Sequence, residues 1–317
     1  MTYVGQHYKK SDLEKRYDAI VIGSGMGGLS VSSVLAQKGK RVLLLEQHNI
    51  IGGCTHAYAR NGYEWNIGLH YVGAVHSPKT TTRKMFDYIT QSGVEWAPMP
   101  EVYNRVIIGD KEYPFVQGTE NYIAGLKNAF PEDHEAIDKY MELLKTAVRS
   151  SAGFFALKTM PKDMSDQMHD QLAGTFLEYS NKTTYEVLSE LTDNKELIAV
   201  ICGNYGDYSL PPKQSAFAMH AMLVKHYIES ASYPVGGAAS LAKSIVPVIE
   251  NAGGRVVYSA EVQELLIEGD AVTGVRLANG DEILSDIVVS NAGVNNTFAK
   301  LIPESSPFHE SLSTNLK

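Results

Sequence analysis

Three groups of residues near the start of the chain have the types and spacing of a phosphate and ribose clamp. Gly23-Ser24-Gly25-Met26-Gly27-Gly28 is a G-x-G-x-x-G run. In such a run the first glycine allows a tight turn, the second lets backbone approach a pyrophosphate, and the third lets a helix pack closely on a strand. Glu46 stands eighteen residues after Gly28, with Gln47 beside it and the pair Gly52-Gly53 following. An acid there is placed to accept both hydroxyls of an adenosine ribose and would repel a 2′-phosphate, which argues against NADP at this site. The residues expected to hold the adenosine end of a dinucleotide are therefore Gly23, Ser24, Gly25, Met26, Gly27, Gly28, Glu46, Gln47, Gly52 and Gly53.

A lone glycine run is weak, because glycine clusters are ordinary turn punctuation. Here the flanking text agrees with it. The apolar run 19–22 reads as a strand, the small and apolar residues 29–36 continue with helical spacing, and 41–45 is a second apolar strand ending at Glu46. That order is the start of a βαβ unit. Its helix N-terminus offers unpaired N–H groups and a partial positive charge to a pyrophosphate.

The 317 residues suffice for two domains with a large core. With 28 basic against 36 acidic residues, a net of −8, non-specific nucleic-acid binding is disfavoured and no nucleic-acid partner is expected. Cys54 and Cys202 make no disulfide framework. Residues 1–16 are polar, carry four basic side chains and lack an apolar centre, so they read as a floppy leader and not as a secretory signal. No stretch reaches the roughly 18 apolar residues of a membrane span. A cytoplasmic protein is expected, peripheral at a membrane surface at most.

Beyond the clamp, residues 62–68 alternate as a half-buried strand would, 79–91 read as a helix, and 102–108 turns at Gly109-Asp110 into 112–115 as a hairpin. Residues 119–197 read as mostly helical, with Pro131 opening one helix and Pro161 interrupting another. Within them, 147–160 is apolar and aromatic but bounded by basic residues, which fits either an internal helix or a membrane-touching lip. A Gly- and Tyr-rich loop, 202–208, precedes an apolar helix at 215–227, and Gly236-Gly237 opens a helix at 238–250 that contains Pro247. Strands are expected at 255–259, 262–267 and 271–277, with Asn279-Gly280 as a hairpin signal. Residues 286–290 read as a short buried strand at the edge of a Rossmann-like sheet.

The pattern of acid, spacer and Gly52-Gly53 looks like the extended fingerprint of FAD-containing oxidoreductases. Joined to Gly52-Gly53-Cys54-Thr55-His56, Gly68-Leu69-His70-Tyr71-Val72-Gly73, the long run from Ser215 to Gly237, and Val288-Val289-Ser290-Asn291-Ala292-Gly293, it makes the chain resemble the phytoene desaturase and carotenoid isomerase superfamily of flavoproteins. The run from Ser215 is the most telling for its retinol saturase branch. The resemblance implies an α/β fold: a Rossmann-like FAD-binding domain, discontinuous in sequence at 14–85 and 233–296, with an inserted α+β substrate domain at 86–232 and a further substrate-domain segment starting at 297–317. It implies contact of Val262 with the adenine. It also implies a C-terminal glycine motif beside the isoalloxazine, which nothing after Gly293 resembles, so the sequence is expected to be an N-terminal portion that holds FAD weakly.

What the resemblance implies chemically is flavin redox chemistry on a conjugated isoprenoid, a retinoid or carotenoid, with hydride to one carbon of a C=C bond and a proton to its neighbour. Desaturation and cis–trans isomerisation are the alternatives within the class, and a prenyl-lipid carrier of the Rab GDP-dissociation-inhibitor type is the non-enzyme alternative. No second dinucleotide fingerprint is present, so an external electron donor or acceptor is expected: a transient NAD(P)H, a quinone or another protein. The candidate proton donors are His70, Tyr205 and Asp207. Each also has a plain reading, a loop-fixing histidine for His70 and packing for the tyrosine. His56 reads as a loop anchor, and His220 and His226, six apart, do not share a helix face as a metal pair would, so no metal site is expected.

Overall fold

The fold is seen in a computed structural model that describes residues 4–306, 308 and 309. These divide into two compact units. One takes the chain up to His70, Thr81–Ala97 and the chain from Tyr233; the other takes Tyr71–Thr80 and Pro98–Ser232.

The first unit is a Rossmann-like α/β domain. Its sheet is wholly parallel, in the order Gln6–His7, Arg255–Tyr258, Val42–Glu46, Ala19–Ile22, Val288–Ser290. The strands Ala19–Ile22 and Val42–Glu46 are buried along their whole length, which is why they read as continuous apolar runs and not as alternation. The helices Met26–Gln37, Thr81–Thr90 and Ala239–Asn251 pack on one another. Pro247 sits inside the last of these and removes one helical hydrogen bond there. A separate antiparallel sheet of Val262–Glu268, Ala271–Leu277 and Glu282–Leu284 closes the unit, with Asn279 Oδ1 accepting from Asp281 N at its turn.

Several expectations need correction. The leader is not floppy throughout: Gln6 and His7 pair with Val257 and Tyr258 at the sheet edge. Residues 86–97 lie with the first unit, because the Thr81–Thr90 helix is tied to the Met26–Gln37 helix: Ser33 Oγ donates to Ile89 O at 2.7 Å and Gln37 Nε2 to Tyr88 O at 2.9 Å. The expected half-buried strand at 62–68 is one arm of a hairpin, Ala57–Arg60 against Tyr63–Asn66, and the latter strand is exposed throughout, Tyr63 by 70%. Thr297–Leu301 is a turn of π-helix in the first unit, where Leu301 and Ile302 join the core with Val262 and Val257. Position 307 and residues 310–317 lie outside the described residues.

The second unit is α+β. The strands Val102–Ile108 and Lys111–Val116 form a hairpin, and the helices Thr119–Ala129, His134–Leu157, Lys162–Ser180, Thr184–Ser189, Lys195–Ile201 and Phe217–Ile228 surround a core that includes Tyr140, Phe217 and Leu197. Local signals set the helix starts. Thr183 and Glu186 make a capping box, and Asn194 Oδ1 accepts from Glu196 N and Leu197 N, both at 3.1 Å. Pro161 separates the two long helices, which pack together with Phe154 stacked on Phe176 at 4.6 Å. The stretch 147–160 is thus the end of a helix with Ala147 and Leu157 buried, while Phe155 is 49% exposed.

Candidate functional site

The glycine run builds a tight connection between the Ala19–Ile22 strand and the Met26–Gln37 helix. A Cβ on Gly28 would run into the carbonyl oxygen of Gly23, so only glycine permits this approach of helix to strand. A Cβ on Gly53 would stand 2.8 Å from Gly25 Cα, so the second glycine pair is pressed against the first. Ser24 joins them to the acid. Its N and Oγ donate to Glu46 Oε2 at 2.8 and 2.7 Å, and Gly52 N donates to Ser24 Oγ at 3.1 Å.

Glu46 ends its strand almost wholly buried, and its Oε1 accepts from His48 N at 2.8 Å. A carboxylate offers roughly four acceptor positions, and the protein itself occupies three. Glu46 Oε1 carries a single protein donor and keeps acceptor capacity for a ribose.

Beside the clamp lies a cavity of about 590 Å³. Gly23, Gly25, Glu46, Gln47, Gly53 and Val262 line it, so the structure brings these expected residues together around one space. Ser24, Met26, Gly27, Gly28 and Gly52 are not among its lining residues; Ser24 is fully buried and its hydroxyl is spent on Glu46 and Gly52. The first helical N–H groups, from Met26 onward, have no partner within the helix. The glycine turn, the buried carboxylate and the cavity size suit the adenosine diphosphate part of a dinucleotide.

Residue-by-residue reading missed Asn291, Asn296 and Lys300, which also line the cavity. Asn291 follows the edge strand, its N donates to Ile22 O at 2.8 Å, and its Oδ1 lies 2.5 Å from where a Cβ of Gly27 would be. The signal was the Asn291-Ala292-Gly293 block itself, which carried the family resemblance but no role. Lys300 is the one basic side chain among the described lining residues, facing a space that also has Glu46 and Glu261.

The candidate proton donors fall in different units. His70 ends a segment of the first unit and is exposed. His56 anchors the glycine turn, its Nδ1 2.5 Å from Gly53 O. Tyr205 and Asp207 occupy a 3₁₀ turn of the second unit, both exposed. Burial, with the charge of Asp207 as a second cause, raises the Tyr71 phenol to about 12 and also raises Tyr227. Burial lowers the His226 pKa while Asp207 opposes the shift. His226 Nε2 accepts from Gly73 N at 2.9 Å, which puts any ring proton on Nδ1. Tyr71 and Tyr227 meet edge to face at 4.7 Å. Among the described residues no cluster of ligands could hold a metal ion, and no helix is long and apolar enough to cross a membrane.

A family model described as flavin containing amine oxidoreductase matches residues 26–308. All-trans-retinol 13,14-reductase from Homo sapiens is 38% identical over 94% of this chain and 51% of its own length. Prolycopene isomerase from Daucus carota is 28% identical over 92% of this chain and 48% of its length. The chain thus spans about half the length of these curated relatives. A crystal structure of an oxidoreductase from Methanosarcina mazei superposes with a TM-score of 0.66 at 16% identity, covering 94% of this chain and 64% of that one; it shares the fold.

Proposed function

We propose that this chain, which belongs to the flavin containing amine oxidoreductase family, holds the adenosine end of FAD in an oxidoreductase that saturates a C=C bond of a conjugated isoprenoid. The observation that carries this reading is the cavity in which the glycine turn, Glu46 and Val262 meet. Bound there, FAD supplies hydride chemistry that no side chain can. The chain's own residues would do the rest: Glu46 would accept from the ribose, the helix N-terminus and Lys300 would hold the pyrophosphate, and Val262 would pack on the adenine.

The substrate class rests on the relatives, whose names specify a retinol and prolycopene. For the proton, His70, Tyr205 and Asp207 are the proposed donors, and Tyr71, Tyr227 and His226 lie within reach of the Asp207 charge. Electrons come from an external donor, with transient NAD(P)H as one source. Membrane contact is supported by the exposed Phe155 and Met164 on the two helices flanking Pro161, with the exposed Lys158 between them in sequence. Isomerisation is the second reading, favoured by the carrot relative. A prenyl carrier fits less well, because it would have no use for a ribose clamp.

Anaerobic incubation of the 317-residue chain with excess reduced FAD and all-trans-retinol, followed by mass analysis, tests the proposal. A product two hydrogens heavier is expected. A rearranged product of unchanged mass would transfer the assignment to isomerisation, and a colourless chain that bound prenyl lipid but no FAD would overturn it.

A further inference from the structure

A second cavity, of about 780 Å³, lies wholly within the second unit, among the helices Thr119–Ala129, His134–Leu157 and Phe217–Ile228. Its floor is apolar: Ile123, Met141, Leu144, Val148 and Ile228. Leu144 and Ile228 belong to the buried core and the other three pack against it, so the groove is firmly backed. Its rim is charged.

The rim charges do not cancel. Asp138 pairs with Lys127 at 2.7 Å and Lys225 with Glu229 at 3.3 Å, so these lining residues are neutralised by neighbours. Lys145 and Arg149, one turn apart on the same helix face, make no ion pair among the described residues; neither does Glu142. The remainder is one net positive charge at the mouth of an apolar groove, in a chain whose total is −8. Both cations have exposed heads on stems that can lie along the apolar wall. A guanidinium with an ammonium one turn away is suited to a carboxylate, which arginine binds bidentately.

We propose that this groove binds a single-chain lipid carboxylate, its tail over Ile123, Met141 and Val148 and its head on Lys145 and Arg149. A neutral lipid would leave the cations unused, and a small anion would leave the apolar floor wet. The site goes beyond the flavin reading and does not depend on it, since all lining residues lie in the second unit and binding is read without flavin.

The test is calorimetric titration of the 317-residue chain with laurate, dodecanol, dodecyl phosphate and acetate below their micellar concentrations. Laurate is expected to bind, acetate not at all, and dodecanol at least about tenfold more weakly, the worth of one charge-assisted contact. The double variant Lys145→Gln/Arg149→Gln should weaken laurate by about tenfold or more and leave dodecanol unchanged. Val148→Asp, with folding checked by circular dichroism, should weaken both. Equal binding of laurate and dodecanol, laurate affinity untouched in the double variant, or preference for dodecyl phosphate overturns the proposal. So does binding to phosphatidylserine vesicles through Lys145 and Arg149 without binding of monomeric laurate.

Discussion

Replacing His220 by glutamine should remove most of the acid sensitivity that this side chain imposes on the fold. His220 is 1% exposed, and burial alone lowers its pKa to about 4. Its Nε2 lies 2.9 Å from the Tyr140 hydroxyl and its Nδ1 3.4 Å from that of Tyr208, so a neutral ring serves one phenol as donor and the other as acceptor. Both phenols are raised by burial and stay protonated, and the neighbouring Cys202 thiol is pushed up to about 12. No charge in this set welcomes an imidazolium. In the unfolded chain the ring titrates near ~6.5. Between that value and about 4 the unfolded state binds the extra proton, so stability rises with pH across this window and is lost as pH falls through it. About 2.5 pH units at ~1.4 kcal/mol each give roughly 3 kcal/mol. Urea denaturation from pH 7.5 to 3.5, compared between the chain and His220→Gln, isolates the term, because the carboxylates titrate in both. The variant starts less stable at pH 7 but should lose roughly 3 kcal/mol less on acidification. Parallel stability curves for the two proteins would show that the buried ring is not the cause.

Glu46→Gln turns an amide NH₂ toward one of the donors Ser24 N, Ser24 Oγ or His48 N. It should cost about 1–3 kcal/mol of stability and weaken FAD by at least about tenfold; thermal melts with a flavin fluorescence titration check both, and unchanged FAD affinity would refute the ribose role. Lys300→Gln should weaken FAD by about two- to fivefold, as suits an exposed charge, with the effect fading at high salt and absent for adenosine, which lacks the pyrophosphate. An equal loss for adenosine would remove Lys300 from the pyrophosphate.

Much of the first unit was legible because a parallel sheet buried on both faces writes itself as unbroken apolar runs, as at 19–22 and 42–45, and because Gly28 records a close backbone approach. Burial that depends on neighbours was not legible. Tyr63 and Trp65 alternate with polar residues like a half-buried strand, yet both faces of that hairpin arm are exposed. Ser24 reads as a ligand by position, and its hydroxyl is held by Glu46 and Gly52, a partnership no local pattern encodes. Lys300 and Asn291 reach the cavity from nearly the far end of the chain, at a distance no local pattern encodes. Asp207 stands out in sequence for its glycine-rich loop, while Tyr71 and Tyr227, which its charge reaches, come from segments whose proximity only folding creates.

The Ser24 hydroxyl is at once a donor to Glu46 and an acceptor from Gly52, whose N–H stands 28 residues away in sequence. Two motifs that read as separate signatures are therefore one mechanical unit. Alanine at position 24 would strip a donor from the acid and an acceptor from the second glycine pair in a single step. Changes in either motif should accordingly be non-additive with changes in the other, and the turn should lose its amide-exchange protection as one block before any of its members contacts a nucleotide.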